Sequence, residues 1–235
     1  MVEQARTLFI LPGSLCDRWA YAAQIAALSS EFSVSVPHLL AASSLEAMAE
    51  AVLREAPPRF ALVGHAMGGR VALEILRRAP GQVQALALLA TTVHAVRPGE
   101  DARRQTQIDL AKNAGMDVLA AEWLPKVVHP RALADASLMR GLQEMYSRFT
   151  PQDYEREVHA LLQRPDPRPL LAQIDCPTLV LSGRDDPLCT PEQSQSLASQ
   201  IRGAVLEIVD ACAHFPSIEQ PEAVTHALVR WAAHV

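Results

Sequence analysis

Phe60-Ala61-Leu62-Val63-Gly64-His65-Ala66-Met67-Gly68-Gly69-Arg70-Val71-Ala72-Leu73-Glu74-Ile75-Leu76-Arg77-Arg78 is the stretch that decides the reading of this chain. Its first four residues form an unbroken apolar run, suited to a strand buried on both faces. Residues 70–78 carry apolar side chains at helical spacing, and Ala79-Pro80-Gly81 ends them. Between strand and helix, Gly64 and Gly68 bracket position 66. The strand-to-helix turn written G-x-S-x-G, a nucleophile elbow, holds its central residue at positive φ while strand and helix nearly touch. Side chains two positions before and after that centre would clash, so glycine fits there. The centre here is alanine, where the pattern has serine. A Gly-rich turn for phosphate is the competing reading, but no Lys or Ser/Thr follows as in a P-loop.

Three further stretches join the elbow. Leu11-Pro12-Gly13-Ser14-Leu15-Cys16-Asp17-Arg18-Trp19 follows the first predicted strand. Gly183-Arg184-Asp185-Asp186-Pro187 follows a later one, and Ala213-His214-Phe215-Pro216-Ser217-Ile218-Glu219-Gln220-Pro221 follows the last. The four, in this order and over nearly the whole chain, resemble the α/β-hydrolase superfamily. A Gly-His-Ser-Met-Gly-Gly elbow is common in its esterase branch. The chain departs from the pattern at Pro12, where many members have His before the glycine, and at Ala66.

The resemblance implies a serine hydrolase, a carboxylesterase acting through an acyl-enzyme, with the chain order nucleophile, acid, histidine. Position 66, Asp186 and His214 follow that order. The family places its acid three residues after the glycine, which favours Asp186; Asp185 remains the alternative, its other reading being a carboxylate that caps a turn. The oxyanion hole needs two backbone N–H groups. One is expected from Met67, the other from Ser14 or, second, from Leu15. His65 is expected to pack or hydrogen-bond beneath the elbow, and His94 to line the pocket. His38, His129, His159, His226 and His234 read as surface or structural residues, and no histidine spacing suits a metal, so neither metal nor other cofactor is expected. Lactonase, amidase and C–C bond hydrolase activities share the architecture and stay open beside the esterase.

At 235 residues, 49% of them hydrophobic, the chain suits one domain with a large core. A net charge of −5 with mixed signs argues against nucleic acid as a partner. No apolar stretch is long enough to span a bilayer. Met1-Val2-Glu3-Gln4-Ala5-Arg6 shows no signal-peptide pattern, and Cys16, Cys176, Cys189 and Cys212 show no C-x-x-C pairing. Free thiols in a reducing cytoplasm are the expectation, with a small-molecule ester as the partner and a monomer or homodimer as the assembly.

Predicted strands at 7–11, 33–36, 59–63, 84–89, 177–182 and 205–209 alternate with helices near 18–28, 44–55, 67–78, 191–201 and 221–233. This predicts an α/β fold, three-layered, with about six mostly parallel strands. Roughly 87 residues separate the strands at 84–89 and 177–182, far more than a simple crossover needs. Helical patterns at 101–113, 117–125, 130–149 and 151–163 fill the gap. They resemble the family's cap, giving a core of 1–92 and 170–235 and a helical cap of 93–169. Trp123, Met145, Phe215 and His94 are the expected pocket residues. The mostly apolar cap suggests a small to medium, largely uncharged substrate, with Arg97, Arg103 and Arg104 as solvated surface or as contacts for a carboxylate.

Alanine at 66 has three explanations. One is a deliberate serine-to-alanine replacement that holds a substrate unreacted. Another is a natural pseudo-hydrolase that binds a small molecule without turnover. The third is base chemistry by His214 and Asp186 without a covalent step. The first is preferred, because the rest of the machinery survives and alanine has no evident reason to occupy a strained turn.

Overall fold

The computed structural model describes residues 6–39 and 42–234; the first five residues, read above for a leader, lie outside them. The chain begins with β1 (Arg6–Leu11), a short 3-10 turn at Arg18–Tyr21, α1 (Ala22–Leu28), β2 (Phe32–Ser35) and α2 (Leu45–Glu55). The elbow strand β3 (Phe60–His65) leads into α3 (Met67–Arg78) and then β4 (Val83–Leu89). A helical run follows: α4 (Glu100–Ala114), α5 (Met116–Trp123), α6 (Pro130–Ala134), α7 (Ala136–Ser147), α8 (Pro151–Leu162) and α9 (Arg168–Leu171). The chain returns through β5 (Thr178–Gly183), α10 (Pro191–Ser199), β6 (Val205–Val209), α11 (Pro216–Glu219) and α12 (Pro221–Ala232).

The six strands form one sheet in the order β2-β1-β3-β4-β5-β6, every neighbouring pair parallel. Parallel strands need crossovers, and those place helices on both faces, so the sheet interior is mostly apolar, with His65, Thr178 and Ser182 as its buried polar residues. The period of two is visible in the core. Leu8, Ile10, Ala61, Val63, Ala85 and Ala87 belong to one cluster, and Phe9, Leu11, Phe60, Leu62, Leu86 and Leu88 to the other. Helices α2, α3 and α10, with Ala160 and Leu161 of α8 and Leu171 of α9, supply the second cluster, while α1, α12 and most of the helices between β4 and β5 supply the first.

The order of the strands locates the site. From β1 the chain moves one way to β2, then crosses back to β3 and continues to β6. The loops leaving β1 and β3 therefore diverge, and a crevice opens at the carboxyl ends of these strands. Both the Gly13–Leu15 loop and the elbow lie there.

One predicted helix is two. The pattern over 130–149 breaks at Asp135, which is extended (φ −90°, ψ 97°) and accepts from the N–H groups of Ser137 and Leu138. An aspartate gains more by capping a helix start than by sitting inside one.

Candidate active site

Ala66 sits at φ 49°, ψ −108°, between β3 and α3. Its N–H donates to Leu89 O at 2.9 Å, which ties the turn to β4. The flanking glycines are obligatory on steric grounds. A Cβ on Gly68 would stand 2.0 Å from Leu11 O, and one on Gly64 would stand 2.5 Å from Gly69 Cα. Met67 opens α3, so its N–H is among those without an intrahelical acceptor.

Asp186 follows β5 and His214 follows β6, and the parallel pairing of these strands brings both to one edge. His214 Nδ1 lies 2.9 Å from Asp186 Oδ2. The other oxygen of Asp186 accepts from the N–H groups of Leu188 and Cys189 at 2.8 and 3.0 Å, so the buried carboxylate is fixed in orientation. Burial alone would lower the pKa of His214; attraction to Asp186 and the hydrogen bond to it outweigh burial, and the net shift is upward. Asp185 is half exposed and faces His129 at 3.6 Å. The imidazole is also held from behind. Glu219 accepts from the N–H groups of Ala213 and Phe215, on either side of it, at 3.2 and 2.8 Å, and from His129 N–H at 2.7 Å. The His214 N–H donates to Val127 O at 3.0 Å, a tie to the helical run.

His65 links the loops. Gly13 N–H donates to the Tyr21 hydroxyl at 3.1 Å, and that oxygen lies 3.0 Å from His65 Nδ1. His65 Nε2 lies 2.8 Å from His214 O, which can only accept, so Nε2 carries the proton and donates, and Nδ1 accepts a hydrogen bond from the Tyr21 hydroxyl. Burial, and next the neighbouring His214, lower the His65 pKa to about 4, which keeps the ring neutral in this role.

A cavity of about 210 Å³ joins these groups, lined by Ser14, Leu15, Ala66, Met67, His94, Trp123, His214 and Phe215 among others. Two expectations need correction. Met145 does not line it: the side chain is fully buried in the hydrophobic core because α7 turns that face onto its neighbours. Leu15 is not available as an oxyanion donor: its N–H donates to Glu157 Oε2 at 2.9 Å, the same oxygen that accepts from Ser14 Oγ at 2.5 Å. The N–H groups of Ser14 and Met67 have no acceptor among the described residues.

Glu157, Glu219, Arg70, Glu100 and Arg164 were missed as site residues by sequence reasoning. Glu157 left a signal, since Tyr154, Glu157, Val158 and Leu161 share one stripe at i, i+3, i+4, i+7, a carboxylate on an apolar face. Arg70, Glu100 and Arg164 line the cavity with Arg97, Arg103 and Arg104, so an apolar roof is only part of its chemistry. Among the described residues no group of three His, Cys, Asp or Glu side chains could hold a metal ion, and no helix is long and apolar enough to cross a membrane.

Residues 8–227 match the family model described as "Alpha/beta hydrolase family". The 3-oxoadipate enol-lactonase 2 of Acinetobacter baylyi is 26% identical over 172 residues, covering 73% of this chain and 62% of that protein. The chain thus spans less than two thirds of that relative. The pimeloyl-[acyl-carrier protein] methyl ester esterase of Methylococcus capsulatus is 31% identical over 199 residues, 78% of this chain and 74% of that one. Among solved structures, a malate-bound thermophilic esterase of Thermogutta terrifontis superposes with a TM-score of 0.88 at 25% identity, covering 98% of this chain and 91% of that chain.

Proposed function

For a chain that belongs to the alpha/beta hydrolase family, we propose a carboxylic ester hydrolase site in which Ala66 occupies the seat of a serine nucleophile, so that the chain as written binds substrate without forming an acyl-enzyme. The observation that carries this is the Asp186–His214 couple, intact at 2.9 Å beside a cavity whose elbow residue, held at φ 49°, has no reactive atom. A positive φ costs a non-glycine residue energy, and such strain persists where function requires it. Nothing about an alanine side chain requires it. A deliberate serine-to-alanine replacement accounts for a strained turn, a fixed acid and an oriented histidine without a nucleophile.

With serine at 66, Oγ attacks the ester carbonyl carbon and His214 Nε2 takes its proton. Nδ1–H, donating to Asp186, sets the tautomer and stabilises the imidazolium. The oxyanion receives the N–H groups of Met67 and Ser14. The alcohol leaves with the proton from His214, and a water, deprotonated by the same nitrogen, releases the acid. Ester and lactone cleavage break the same acyl–oxygen bond, so the methyl ester esterase and enol-lactonase names among the relatives fit one mechanism. The helical run over 93–169 acts as the cap, and free, mostly buried thiols suit a reducing cytoplasm.

Ala66→Ser tests this with p-nitrophenyl acetate, butyrate and octanoate. Turnover should rise by roughly 10⁴–10⁶ over the chain as written, and His214→Ala in the serine background should remove it. A serine form that stays inert on all three esters and on monomethyl glutarate overturns the esterase reading. A non-catalytic binding protein, which Ala66 itself favours as the second reading, would then be supported by tight ligand binding.

A further inference from the structure

The cavity holds more positive charge than its own residues neutralise. Arg164, buried, bonds both oxygens of buried Glu100 at 2.9 and 2.7 Å, and Arg104 Nε reaches Glu100 Oε1 at 2.9 Å. One carboxylate thus serves two guanidiniums. Arg70 is a third and has no ion-pair partner among the described residues. Its Nη2 donates to His94 O at 2.8 Å and to Thr92 Oγ1 at 3.3 Å, while Nη1 is buried with no partner. Burial, and next the neighbouring Arg164, lower its pKa to about 9, so it still carries its charge at neutral pH, and carries it at an energetic cost.

Position explains why such a cation is tolerated. Arg70 lies four residues beyond Ala66, one turn or about 6 Å along α3, and lines the cavity shared by Ala66 and His214. Its neighbours in α3, Met67–Gly69 before it and Val71–Leu73 after it, are buried and apolar. A buried guanidinium with an idle donor beside a reaction centre matches a planar, two-oxygen anion. We propose that the substrate is a short ester bearing a free carboxylate, received by Arg70 with Arg104 while the ester group lies over Ala66; Arg164, whose nitrogens all donate to Glu100, His94, Ala95 and Leu161, adds only its charge. This rests on the reading of the cavity as an ester site and narrows its substrate from a neutral ester to the half-ester of a short dicarboxylic acid.

The chain as written is the reagent for the test, because it can hold such an ester uncleaved. Titration calorimetry with monomethyl glutarate and with dimethyl glutarate should show the half-ester binding about 10- to 100-fold more tightly, the range for charge-assisted bonds to a buried partner. Arg70→Met should collapse that ratio. If Arg70→Met does not fold, Arg104→Met is read the same way. Equal affinity for the two esters in the unsubstituted chain overturns the inference. Turnover by Ala66→Ser separates it from the underlying reading. Selective binding without hydrolysis upholds the anion site and sinks the hydrolase; hydrolysis of both esters with equal kcat/KM does the reverse.

Discussion

The backbone at 66 and the side chain at 214 carry different kinds of information. Ala66 holds a φ of 49°, the conformation of the proposed nucleophile seat, because Gly64 and Gly68 let β3, α3 and β1 approach within contact. Asp186 holds Nδ1 of His214, which leaves Nε2 free for the base role proposed for it. A base must be neutral to act, and the His214 pKa is raised above 6.5. In the Ala66→Ser form, kcat/KM should therefore climb with pH through a midpoint above 6.5 and level off beyond it. Asp186→Asn removes the attraction that raises it, so the midpoint should fall while the plateau drops on the order of 10³–10⁴. A pH–rate profile of both forms checks this, and an unshifted midpoint would deny Asp186 its role. The elbow glycines, the acid and the histidine were legible as spaced motifs, since each answers to a local steric or chemical demand. Arg70 was not, because an arginine in a helix reads as surface until the packing around it is known.

Among the elements, α8 has the most unexpected task. It carries Glu157 into the loop after β1, where the carboxyl accepts from Ser14 Oγ and Leu15 N–H. Burial, against the pull of those two bonds, raises its pKa to about 7 from 4.5. Between those values the folded protein holds a proton that the unfolded chain has released. The group therefore adds stability fully present below about pH 4.5 and lost as pH rises through about 7. Its size is on the order of 3 kcal/mol at 1.36 kcal/mol per unit. Glu157→Gln should flatten this fall, checked by urea midpoints at pH 5 and pH 8; an unchanged slope would place the proton elsewhere. Helix starts at Thr150 and Thr190 were readable because both form capping boxes. The break at Asp135 was not, because apolar spacing continues across it.

At the scale of the whole molecule, helices α4, α5 and α7 between β4 and β5 share a hydrophobic core with one face of the sheet. Leu142, Met145 and Tyr146 of α7 belong to the same cluster as Ile10 and Val63. Met145→Ala should therefore lower stability by about 2–5 kcal/mol in one cooperative transition and leave ester preference untouched. Trp123→Ala, at the cavity wall, should do the opposite: a small change in melting and a change in KM across acyl lengths of the serine-restored form. Separate melting of the helical run, or a changed ester preference for Met145→Ala, would contradict this partition.

By itself the sequence determined the alternation of strands and helices, the parallel sheet, the elbow and the order of the acid and histidine loops. These follow from periodicity, glycine sterics and residue spacing, all written along the chain. Only the tertiary structure decided which N–H groups of the β1 loop stay free, which roof residues face the cavity, that Arg70 and Arg164 converge on it, and that Glu157 reaches the β1 loop. Such facts depend on segments far apart in sequence meeting in space: Glu157 meets Leu15 across 142 residues. A buried charge is explained only by the partners that burial brings to it.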